Sequence, residues 1–197
     1  MTSLLAAIDA SQVPIGDLAL QAGLRINSSA DIILADTWDL FDGWRFAEDL
    51  SDPTAPRLAT TGVLHLNAAG DLRLDASLTD SFFQDPLVPG QIIRDSVQTA
   101  VPREDGAGNI VELLAPSAWS YRLVSGGDRR GGRTSADDFA VRPGSGDMTV
   151  GTDVAVRTGT GDIALAAGGD VVLAEGAAVY TAGWNQGPDE AMLEPLA

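Results

Sequence analysis

One short pattern recurs along the chain: a small residue, then Asp, then apolar-x-apolar. It occurs as Gly16-Asp17-Leu18-Ala19-Leu20, Ala30-Asp31-Ile32-Ile33-Leu34, Gly70-Asp71-Leu72-Arg73-Leu74 and Gly146-Asp147-Met148-Thr149-Val150. Thr152-Asp153-Val154-Ala155-Val156, Gly161-Asp162-Ile163-Ala164-Leu165 and Gly169-Asp170-Val171-Val172-Leu173 follow, and Ala178-Val179-Tyr180-Thr181 continues without the Asp. Apolar residues two apart face one side of an extended chain, so each unit reads as a short strand with one buried face. Gly admits a left-handed corner, and Asp is expected to bond its own backbone two residues on and so fix that corner. The frequent glycines, and the lack of a 3.6-residue apolar period, exclude helices from these segments.

Spacing carries the argument from strand to architecture. The last strands are predicted to begin near 148, 154, 163, 171 and 179. With three strands per turn, Met148 stacks on Val171 and Val154 on Val179, giving turns of 23 to 25 residues. Short strands at a fixed turn length build a solenoid. The predicted fold is all-β: a right-handed parallel β-helix with loop insertions, rising by roughly 4.8 Å per coil. A sandwich or barrel is the alternative, and it needs hairpins with two-residue loops. Asp42-Gly43 and Asp105-Gly106 lie in segments without flanking alternation. Leu165 is predicted inward and Ala164 outward, and middle residues such as His65, Arg73 and Thr149 should face solvent. Stacking also brings Asp147 beside Asp170. Like charges on adjacent strands repel, so either a cation bridges them or both point to water and are screened.

Composition removes several classes of function. Asp and Glu number 28 against 12 basic residues, for a net charge of −16. Nucleic-acid binding and docking on an anionic membrane both need clustered cations. With no cysteine, disulfides, thiolate metal sites and cysteine nucleophiles are excluded. No apolar run approaches the roughly 18 residues of a membrane-spanning helix, so no membrane insertion is expected. The opening "MTSLLAAIDA" has no basic residue before its apolar run and is interrupted by Asp9, which makes it a poor signal peptide. "GSGDMTVG" precedes no helix and is not a nucleotide loop.

Three stretches break the repeat, at about 36–61, 79–116 and 126–138, and 184–197 forms a C-terminal tail. Loops are where a scaffold carries its binding groups. The aromatic residues in and around them either form an exposed surface or fold back against the strands, and burial is expected because large aromatics in water are unfavourable. If the surface is exposed, Trp38, Trp44, Trp119 and Tyr121 are the candidate partner-binding residues. The Gly-rich stretch 126–138 holds Arg129, Arg130 and Arg133 and reads as a solvated loop.

Catalysis finds little footing. A glycoside-cleaving β-helix needs two carboxylates across a cleft, or one and a base. Asp137-Asp138 is the candidate pair, His65 is the single histidine, and lysine is absent. Asp36-x-x-Asp39-x-x-Asp42-Gly43 misses the calcium-loop pattern, since Glu48 falls at the thirteenth place rather than the twelfth. No catalytic residue, cofactor or metal site is expected.

The segments "GDLALQAGLRINSSADIILADTWDLFDGWRF", "GVLHLNAAGDLRLDASLTDSF", "SAWSYRLVSGGD" and "GSGDMTVGTDVAVRTGTGDIALAAGGDVVLAEGAAVYTAG" cover most of residues 15–183. Together they resemble the filamentous haemagglutinin-like exoproteins of bacterial two-partner secretion. The resemblance implies a secreted β-helical stalk at the bacterial cell surface, with roles in adhesion, aggregation or toxin display. The implied partner is a glycan or protein on a host or neighbouring cell. The family's Asn-Pro-Asn secretion motifs do not occur here, so the expectation is an interior segment that meets an outer-membrane transporter only through a parent chain. The alternatives are a carbohydrate-active β-helix enzyme and a carbohydrate-binding module.

Overall fold

The structure is a computed structural model, and it describes residues 22–41, 48–80, 83–84, 92–93, 98–127 and 140–185. Its strands are, in chain order, β1 (Ala22–Ser28), β2 (Ile32–Leu34), β3 (Trp38–Asp39), β4 (Gly62–Ala68), β5 (Leu72–Leu74) and β6 (Leu78–Thr79). There follow β7 (Phe83–Gln84), β8 (Ile92–Ile93), β9 (Gln98–Thr99), β10 (Val101–Glu104), β11 (Ile110–Leu114) and β12 (Ser120–Ser125). The last are β13 (Met148–Val150), β14 (Ala155–Thr158), β15 (Ile163–Ala167), β16 (Val171–Leu173), β17 (Ala178–Thr181) and β18 (Trp184–Asn185). The described residues contain no helix.

Twelve of these strands make three parallel four-stranded sheets, ordered β1-β4-β12-β15, β2-β5-β13-β16 and β3-β6-β14-β17. The chain visits the first, second and third sheet in that order, four times, moving one strand along at each circuit. The registers turn the two-residue apolar period into columns. Leu24, Leu64, Tyr121 and Ile163 align, as do Ile26, Leu66, Leu123 and Leu165. In the second sheet Ile32, Leu72, Met148 and Val171 align, and so do Leu34, Leu74, Val150 and Leu173. Trp38, Leu78, Val156 and Val179 make the column of the third. The two middle circuits carry the core: Leu64, Leu72, Leu74, Leu78, Leu123, Met148, Val150 and Val156 are fully buried. Each such side chain contributes about 1.5–3 kcal/mol by leaving water. Leu165 packs against that core, as expected.

The second-sheet register follows the spacing of the repeat, since Met148 pairs with Val171. In the third sheet it is displaced: Ala155 pairs with Ala178 and Val156 with Val179, so Val154 does not lie on Val179. The reason is a corner. Asp153 has φ 57°, and Gly176 in the next circuit has φ 70°. Val154 therefore still belongs to the turn, and the strand begins one residue later.

The chain leaves the three sheets after β3, after β6 and after β12. The second departure contains an antiparallel hairpin, β10 with β11. Asp105-Gly106 lies between its strands, although the flanking segments lack regular alternation. Pro102 and a bulge between Arg103 and Glu104 break the alternation that would have announced it. The loop is held instead by Asp105, whose carboxylate accepts the N–H groups of Ala107 at 2.8 Å and Asn109 at 3.0 Å. Gly108 supplies the left-handed residue at φ 85°.

Candidate functional site

At the corner entering the second sheet, successive Asp residues interlock. The N–H of Asp71 donates to Asp31 Oδ1 at 2.8 Å, that of Asp147 to Asp71 Oδ1 at 2.9 Å, and that of Asp170 to Asp147 Oδ1 at 2.9 Å. In return the Asp carbonyls accept from the circuit before: Ile32 N–H to Asp71 O, Leu72 N–H to Asp147 O and Met148 N–H to Asp170 O, at 2.8–2.9 Å. The glycines make room for this. A Cβ on Gly70 would stand 2.1 Å from Asp31 Oδ1, and one on Gly169 would stand 2.1 Å from Asp147 Oδ1. The Gly-Asp pair is thus a rung between circuits, which corrects the expectation of an Asp bonded to its own turn. Asp147 and Asp170 are both exposed, as in the reading that turns them to water, and the Asp170 N–H is donated to the Asp147 carboxylate. Among the described residues no group of three or more His, Asp or Glu is arranged to hold a metal.

A second cluster closes the longest departure from the sheets. The chain leaves at Asp80 and returns at Trp119, whose N–H donates to Asp80 Oδ2. Gly159 N–H donates to Asp80 Oδ1 at 2.9 Å, and the Thr158 hydroxyl donates to the Trp119 carbonyl at 2.5 Å. Asp80 is 1% exposed. Burial pushes its carboxyl above the ordinary value, against the pull of these donors and of Arg157. Beside it, Tyr121 donates its hydroxyl to the Arg157 carbonyl at 3.1 Å, and burial raises its phenol far above the usual range. Arg157 lies over the Tyr180 ring at 5.7 Å, and burial lowers its pKa. Burial and these mutual hydrogen bonds make the cluster a clasp that ties the returning chain to the stacked strands.

The outer face of the first sheet holds the remaining constellation. Arg25, His65 and Arg122 are register partners on β1, β4 and β12, one strand spacing apart. They line a cleft of about 280 Å³ together with Gly23, Leu24 and Val63. His65 points outward as expected but is only 3% exposed, which corrects its assignment to solvent. The long guanidinium side chains on both neighbouring strands are the physical reason: an imidazole between them has little open surface. Two arginines and an imidazole in one column suit an anionic group.

No family model, curated protein or solved structure matches this chain.

Of the aromatic candidates, Trp119 is 2% exposed and Tyr121 fully buried, so neither offers a surface to a partner. Trp38 is half-buried and packs against the core. Trp44 lies outside the described residues, as do Asp137, Asp138 and the arginines of 128–139. The exposed apolar surface is elsewhere. Leu50 is 47% exposed, and the hairpin shows Ile110 at 39% and Val111 at 50%. These loops are joined, because Glu104 N–H donates to the Pro53 carbonyl at 2.8 Å. Arg103–Glu112 and Arg57–Asp49 flank them with ion pairs. Sequence reasoning missed this surface because it ranked aromatic rings above aliphatic tips, and the bulge at Val111 hides the hairpin period.

Proposed function

We propose that this chain is a structural segment of a secreted or cell-surface bacterial exoprotein of the filamentous haemagglutinin type. It folds as a right-handed parallel β-helix, extends a rod and presents loops for adhesion. The observation that carries the reading is the interlocked Asp corner repeated over four circuits, which stiffens a stack along one axis while leaving the departures between strands free to vary. The joined loops bearing Leu50, Ile110 and Val111 are the contact surface, and their partner is a glycan or protein on a host or neighbouring cell. An outer-membrane transporter acts on the protein only through a parent chain. The role is non-enzymatic.

Binding of the purified chain to immobilised cell-surface glycans and proteins tests this. Val111→Asp and Leu50→Asp should abolish capture and leave the melting temperature unchanged. Capture that survives both changes contradicts the loop surface. A second reading, a carbohydrate-binding module, is favoured by the cleft at Arg25, His65 and Arg122. It predicts selective capture of acidic over neutral glycans, lost on Arg122→Ala. Turnover of an acidic polysaccharide would support the enzyme alternative instead.

A further inference from the structure

Basic residues are scarce in this chain, and three of them share one cleft. Arg25, His65 and Arg122 stand in a single row on the outward side of the first sheet, with Ala164 as its fourth member. Adjacent strands lie about 4.8 Å apart, so the two arginines are about 9.6 Å apart at the backbone, with the imidazole between them. Like charges on neighbouring strands repel, and a bound anion offsets that repulsion. His65 lines the cleft and is 3% exposed, which makes it a buried polar group at the floor. An imidazole in either protonation state offers at least one ring N–H.

The neighbouring row opens the space. Gly23 pairs with Val63, two residues before Arg25 and His65 and on the same side of their strands. A Cβ on Gly23 would meet only the Val63 carbonyl oxygen, at 3.6 Å, which is ordinary contact. Backbone crowding therefore does not require this glycine, and its missing side chain leaves volume in the cleft that it lines. That cleft measures about 280 Å³. Pockets for drug-sized ligands span about 300–1,000 Å³, so this one suits a single sugar ring. Among the described residues, its lining joins two guanidiniums and an imidazole to the apolar surface of Leu24 and Val63. The combination suits a pyranose that carries a carboxylate. Charge favours a single acidic sugar over a polymer: a net charge of −16 repels a polyanion along its whole length, whereas one carboxylate meets chiefly the local arginines.

We infer that this cleft binds one acidic sugar residue, a hexuronate, through its carboxylate. The guanidiniums of Arg25 and Arg122 clasp the carboxylate oxygens in charge-assisted hydrogen bonds. The His65 ring N–H donates from between them. The apolar face of the sugar lies on Val63, in the space that Gly23 leaves open. The class of ligand rests on the carbohydrate-binding reading of this cleft, and nothing in the inference depends on the rod.

His65 is the single histidine, so its ring-proton signals in NMR report on this cleft alone. Titrating the full chain with sodium glucuronate, at constant pH and ionic strength, should move those signals to saturation. Methyl glucoside lacks the charge and should leave them in place. Sodium acetate lacks the ring and should need about tenfold more, since it forgoes the apolar contact. Gly23→Leu fills the cleft without touching its charges, and Arg25→Met and Arg122→Met each remove one half of the clasp. Each variant should weaken glucuronate binding about tenfold or more, and Gly23→Leu should keep the wild-type melting temperature. Acetate as effective as glucuronate overturns the proposal, and so does a Gly23→Leu chain that binds as the wild type does. Should Gly23→Leu melt earlier, the arginine variants decide, and undiminished binding in both overturns it. Signals that respond to polygalacturonate but not to glucuronate overturn the single-sugar site and leave the acidic-glycan reading standing. Signals that respond to neither overturn both.

Discussion

At Gly70 an added methyl would stand 2.1 Å from Asp31 Oδ1, so Gly70→Ala must expel the carboxylate or move the strand. Either way the Asp71 N–H loses its acceptor and a packed corner is strained. We expect a loss of about 2–3 kcal/mol in urea unfolding. Gly106 is the control: nothing lies within 4 Å of its added Cβ, and Gly106→Ala should stay within about 0.5 kcal/mol. Equal effects would show that the Asp rung carries no weight. Asp80 makes the second prediction. Asp80→Ala strands the buried N–H groups of Trp119 and Gly159, at a cost of about 3 kcal/mol. Its pH dependence has a definite sign. Burial raises the folded carboxyl above its ordinary 3.8, so the folded state holds the proton more tightly than the unfolded one. The stability this proton gives is fully present below 3.8 and is lost as pH rises through the folded value. The difference between wild type and Asp80→Ala should therefore narrow with rising pH across that window. A difference that widens would contradict a buried, desolvated carboxyl.

At the scale of elements, what could be read from the chain tracks how local each signal is. The strands of the second sheet follow from Asp-apolar-x-apolar alone, and the 23-residue step from Asp147 to Asp170 follows from their spacing. Asp153 misled the third-sheet register because its Thr-Asp resembles the motif while its backbone turns left-handed. His65 was placed on the correct face but given the wrong exposure, since burial there depends on Arg25 and Arg122, far away in sequence. The reach of Asp31, Asp71 and Asp147 to the next circuit was likewise invisible, because a side chain's partner 23 to 76 residues away leaves no local trace. The β10–β11 hairpin makes the element-scale prediction. Hydrogen bonds from Asn109 and Ala107 hold the Asp105 carboxyl below its ordinary value. The support it gives the loop is present above 3.8 and lost as pH falls through the depressed folded value. Asp105→Ala should speed amide exchange across β10 and β11 at neutral pH, and acid should do the same to the wild type. Unchanged protection in the variant would mean that the strand pairing alone holds the hairpin.

For the whole molecule, four circuits stack in chain order, so that residues distant in sequence are neighbours by fixed steps. The absence of cysteine makes this directly measurable, because engineered thiols are the sole labelling sites. Ile33, Arg73, Thr149 and Val172 are aligned across the second sheet, on its outward side. Spin labels on Val172→Cys paired with Thr149→Cys, Arg73→Cys or Ile33→Cys should lie one, two and three strand spacings apart, or roughly 4.8, 9.6 and 14 Å between backbones. Dipolar broadening in the doubly labelled chains is the measurement. Stacked circuits give the strongest broadening for 149 with 172, less for 73 with 172, and least for 33 with 172. Equal broadening in all three pairs, or the strongest coupling between 33 and 172, would contradict the stacked circuits.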